Sequence, residues 1–158
     1  MTNKKIDFRL VLMIILTSIS FFSYGKNSTK AFSPLNPLSY EEAIEIFRKK
    51  HKDEVYRCAY IPADKNYEKT QETPIAVEID DFLYINLNKK ILELHRIESN
   101  ENSAVYINEK NNIEAKYIIS KRYNLSEYGE SDDRNVKFWI KTADNNIFIK
   151  AFGNRCGI

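Results

Sequence analysis

The chain has 158 residues, 43% of them hydrophobic and 13% aromatic, with 24 Lys and Arg against 22 Asp and Glu. That describes one ordinary domain with material for a core, and four Gly and four Pro exclude a collagen-like or flexible polymer. Lys4, Lys5 and Arg9 stand against Asp7 in the first 25 residues, so residues 26–158 hold 21 charges of each sign. A neutral domain lacks the basic surplus of a nucleic-acid binder.

The first 25 residues have the three-part plan of a secretory signal peptide: a basic start, the uncharged run Leu10 to Phe22, and small residues Ser23 and Gly25 before Lys26. The 13-residue run is shorter than the ~20 residues a spanning helix needs. No cysteine follows the expected cut to carry a lipid, so no stable membrane anchor is expected after cleavage. Residues 26–38, with Pro34 and Pro37, read as an extended linker, and residues 39–158 as a single domain. Richness in Asn, Lys and Ile is the bias of an AT-rich bacterial genome.

Ser39 followed by Glu42 forms a capping box, and Tyr40, Ala43, Ile44 and Phe47 line one face of a helix. Arg48, Lys49, Lys50 and His51 crowd its last turn, where the helix dipole favours cations. From Val55 the period becomes two. Strands are expected at 55–61, 75–79, 83–87, 91–97, 104–108, 113–120, 136–142 and 147–152. Residues 63–73 and 124–134 read as loops; Asp80-Asp81, Asn88 to Lys90 and Asp144-Asn145 read as turns. Such short connections favour antiparallel pairing. The fold class is therefore α+β, mainly β: one N-terminal helix and a seven- to eight-stranded antiparallel meander curled into a barrel or sandwich.

Cys58 and Cys156 are the only cysteines, and in an exported chain such a pair forms a disulfide. Other chemistry is sparse. His51 and His95 are too few and too far apart for a zinc site, and no GxSxG, HExxH or SxxK motif occurs. Asp80-Asp81 and Asp132-Asp133 are adjacent carboxylates, which point to opposite faces if extended. No Gly-rich phosphate loop, metal set or cofactor site is expected. Trp139, the sole tryptophan, lies between Phe138 and Ile140 and is expected to be buried, with a partner anchor as the alternative. The segment SEYGESDD at 126–133 offers Glu127, Tyr128, Glu130, Asp132 and Asp133 as a partner-binding loop suited to a basic cleft.

A leader, Cys58 in an early strand, an antiparallel β domain and Cys156 in FGNRCGI together resemble the plan of small periplasmic lysozyme inhibitors, and of immunity proteins that neutralise toxins passed between bacteria. The inhibitor family's Ser-Gly loop motif is missing and the helix at 39–51 is additional, so the resemblance assigns no functional residue. It implies a non-enzymatic periplasmic protein that occludes the active site of a secreted toxin or cell-wall hydrolase. An extracellular location is the alternative. A lipid-like carrier using the sheet interior is the second functional expectation, and a hydrolase the third.

Overall fold

The computed structural model describes residues 35–63 and 73–157. The expected leader at 1–25, most of the linker and the middle of the 63–73 loop lie outside these residues. The linker's last residues belong to the fold, because Leu35–Asn36 forms β1 and Leu38 is fully buried.

Helix α1 (Tyr40–Lys50) begins as its capping box dictates: Glu42 N donates to Ser39 Oγ at 3.1 Å, and Ser39 N donates to Glu42 Oε2 at 3.0 Å. Ala43, Ile44 and Phe47 are buried along one stripe. The strands that follow are β2 (Arg57–Pro62), β3 (Ala76–Ile79), β4 (Phe82–Leu87), β5 (Lys90–Asn100), β6 (Ser103–Asn108), β7 (Ile113–Tyr123), β8 (Ser131–Lys141) and β9 (Asn146–Gly157).

From β2 to β9 each strand pairs antiparallel with the next, and β9 returns to pair with β2. The result is a closed eight-stranded up-and-down barrel, with β1 added beside the far end of β4. Turn chemistry sets the corners. Asn88 and Lys89 both take positive φ in the two-residue turn between β4 and β5, and Asp80 does so between β3 and β4. Asp80 also ties down the chain after α1, its Oδ1 accepting from Val55 N and Tyr56 N at 3.1 and 2.7 Å.

Alternation then sorts the side chains into two apolar layers. Tyr60, Leu83, Ile85, Leu94, Tyr106, Tyr117, Phe138 and Ile140 fill the barrel interior. Val77, Ile79 and Tyr84 point outward and meet Leu38, Ala43, Ile44 and Phe47 of the helix segment. Strand β3 is thus covered on both faces, which explains why all four of its residues are buried. At the far end of α1 the His51 ring stacks on Phe82 at 4.1 Å.

The disulfide Cys58–Cys156 joins β2 to β9 inside the barrel, across the seam where the first and last barrel strands meet. Gly153 makes room for it. A Cβ there would stand 2.7 Å from Cys156 Sγ and 2.9 Å from Cys58 Sγ.

Two expectations shift. Strand β8 starts at Ser131 and not at 136, so the last four residues of the expected 124–134 loop are sheet. Trp139, expected to be buried, is 39% exposed on the outer wall, because its neighbours Phe138 and Ile140 take the inward positions.

Candidate functional site

The β7–β8 connection is short and pinned at its neck. Ser126 N donates to Ser131 O at 2.8 Å, and Ser131 N donates to Ser126 Oγ at 3.0 Å. Gly129 N closes the tip onto Ser126 O at 2.9 Å, with the positive φ that favours glycine. Beyond this neck Glu127, Tyr128 and Glu130 are exposed, Tyr128 by 81%, and Leu125 is exposed beside them.

The five residues expected to bind a partner therefore divide. Glu127, Tyr128 and Glu130 stand together at the tip. Asp133, at the base, accepts from Asn124 Nδ2 at 2.7 Å. Asp132 points into the barrel and is buried between two guanidinium groups: Arg134 Nε donates to it at 2.6 Å, and Arg122 Nη1 donates to its other oxygen. Arg134 continues the network, donating to Tyr56 Oη at 3.0 Å and to Cys156 O at 3.4 Å. Arg122 also donates to Glu101 O in the β5–β6 turn. Asp132 thus fastens the loop to the barrel, while the tip presents its side chains to solvent.

Beside the loop lies a surface cleft of about 640 Å³, lined by Arg57, Asn124, Ser131, Asp132, Asp133, Asn154 and Gly157. Its walls are backbone, amides and charges, suited to polar contact more than to holding an apolar ligand.

A second polar cluster sits deeper, and the sequence did not announce it. Glu78, only 1% exposed, accepts from Tyr60 Oη at 2.5 Å and from Tyr106 Oη, with Tyr117 Oη 3.3 Å away and Arg96 Nη1 at 3.8 Å. Burial raises the Glu78 pKa, although the hydrogen bonds from Tyr106 and Tyr60 hold it down in part. Burial likewise raises the phenols, Tyr117 to about 12. Glu78 satisfies three inward tyrosines, which lets a carboxylate occupy the core. Alternation placed Glu78 on the face of Ala76; the signal it lacked was that this face is the interior.

The fold brings both histidines to one aromatic ring: His95, exposed on the outer wall, meets Phe82 edge to face at 5.5 Å, and His51 at the helix end stacks on the same Phe82 at 4.1 Å. Among the described residues no group of three or more His, Cys, Asp or Glu could hold a metal ion. Asp81 pairs with Arg96 in the β3–β4 turn. A carrier would use the barrel interior, the space taken up by Tyr60, Tyr106, Tyr117 and Phe138.

Compared with known proteins, the chain matches no family model, no curated sequence and no solved structure.

Proposed function

We propose that this chain is an exported, non-enzymatic binding protein that blocks another protein, a toxin or cell-wall hydrolase acting at the envelope. The observation that supports the reading is the β7–β8 tip, where Glu127, Tyr128 and Glu130 project from a hydrogen-bonded neck. A stiff loop loses little entropy when it enters a cleft, so its contacts convert efficiently into affinity. Tyr128 supplies an aromatic anchor, and the flanking carboxylates steer the tip toward a basic cleft. The disulfide across the barrel seam suits an oxidising compartment.

The test is binding to envelope hydrolases and to partners recovered from envelope extract, measured at two salt concentrations. Tyr128→Ala should weaken binding by about thirtyfold, the scale of an interface hot spot. Glu127→Lys with Glu130→Lys should slow association and abolish its salt dependence. Equal affinity of native and variant chains would remove the tip from the account.

A further inference from the structure

The outer wall of β7, β8 and β9 concentrates charge that the rest of the domain balances. Its outward residues form cross-strand rows, because each register position on one strand faces a partner on the next. Lys116, Trp139 and Phe148 make one row; Ile118, Lys137 and Lys150 make the next. Lys141 lies above them, opposite Glu114, and Lys121 lies below, opposite Asn135. All five lysines are exposed, and among the described residues none is in an ion pair. Glu114 is the one acidic side chain within these rows.

At the centre, the Trp139 and Phe148 rings pack against each other at a tilt, their centroids 5.3 Å apart, and remain 39% and 51% exposed, with Ile118 exposed beside them. Two aromatics left in water at the middle of a lysine field cost free energy that the fold does not recover internally.

We propose that this wall is a docking surface for an anionic phospholipid bilayer. Trp139, Phe148 and Ile118 would enter the headgroup layer, and Lys116, Lys137, Lys141 and Lys150 would lie over lipid phosphates. Indole rings favour that depth, and lysine stems lie along apolar surface while the ammonium reaches the charge. Each lysine near an anionic leaflet is worth about a fivefold gain in partitioning. The contact is reversible and differs from an anchor, since no chain segment need cross the bilayer.

Two features favour lipid over nucleic acid. Among the described side chains of these rows the cations are all lysines, which act as point charges and lack the arginine fork that reads phosphates and base edges. The two rings touch each other at an interplanar angle of 48°, so they offer no parallel platforms for successive bases. A second copy of the chain would bring lysine against lysine. The proposal does not rest on the partner-blocking reading, although the tip at 125–130 springs from the same two strands β7 and β8.

Trp139 is the sole tryptophan and therefore reports directly. The assay uses residues 33–158, the compact unit that contains the closed barrel and both apolar clusters, because the apolar run at 10–22 would bind lipid by itself. Vesicles of phosphatidylcholine mixed with phosphatidylglycerol should shift the emission to the blue at low salt. Pure phosphatidylcholine should not. Lys137→Gln with Lys150→Gln should lower partitioning about thirtyfold, and Phe148→Ala about tenfold, with the fold verified by circular dichroism. No shift with anionic vesicles, an equal shift with neutral ones, or unaltered partitioning of the lysine variant would overturn the proposal. So would a shift produced by an oligonucleotide and not by the vesicles.

Discussion

Removal of the disulfide is the sharpest perturbation of this fold, because the bridge closes the chain almost end to end. Cys58 and Cys156 are 98 residues apart, and the enclosed loop contains β3 to β8. Loop-closure entropy assigns a cross-link of that length about 4.7 kcal/mol at 25 °C. Domains of this size are stable by only about 5–15 kcal/mol, so the bridge represents a third of the total or more. Cys58→Ala with Cys156→Ala tests this directly. Both positions are buried, 1% exposed each, so the double variant also loses a little packing; reduction of the native chain, which keeps both sulfurs, separates the two contributions. Urea unfolding followed by fluorescence should show the midpoint falling by roughly 2–4 M at slopes ordinary for small proteins. A loss below about 1 kcal/mol would refute the entropic reasoning, since the seam would then hold through packing and ladder hydrogen bonds alone.

Three further outcomes follow from particular contacts. Gly153→Ala puts a Cβ 2.7 Å from Cys156 Sγ and 3.0 Å from Arg134 Cγ, and should cost about 1–3 kcal/mol by overpacking; native-like stability would contradict the close approach. Asp132→Ala strands the buried Arg134 guanidinium and should cost about 3–5 kcal/mol in denaturant unfolding, whereas Glu130→Ala at the exposed tip should leave stability unchanged. Glu78 keeps its proton to higher pH in the folded chain than in the unfolded one. Its stabilising contribution is therefore complete below its ordinary pKa of 4.5 and is lost as pH rises through the raised folded value. Glu78→Gln should remove that decline, and an unaltered pH–stability slope across the same window would argue against a raised Glu78.

What was legible in the sequence was whatever carries its signal locally. The Ser39–Glu42 box, the Ala43, Ile44, Phe47 stripe, and the hairpin corners at Asp80 and Asn88 all lie where composition put them, because caps and turns are decided by a few neighbouring residues. The cysteine pairing was also readable, since only one pair exists. Inward polar residues hid the rest. Asp132 and Arg134 occupy barrel-facing positions as an ion pair, so hydropathy alternation stops where strand β8 does not, and residues 131–134 read as loop. Strand β9 continues past 152 to Gly157, where the apolar alternation is broken by Gly153, which makes way for the disulfide, and by Gly157, which lies against the Glu130–Ser131 backbone. At Trp139 residue type suggested burial, but strand phase, set by Phe138 and Ile140, decided its direction. Of the 126–133 segment, Glu127, Tyr128 and Glu130 lie in the β7–β8 connection while residues 131–133 are strand; that Asp132 belongs to the loop's foundation became visible only once its two arginines were placed around it.

Because β2 and β9 complete a ring, the eight-stranded belt has neither a first nor a last strand. A partner chain that recognises others by laying a strand along an open ladder finds, among the described residues, no unpaired edge strand in this belt to join. Contact must instead pass through side chains on the wall and through the turns at either rim. Such positions vary without disturbing backbone pairing, so one barrel of this kind can change what it recognises residue by residue while its frame stays fixed.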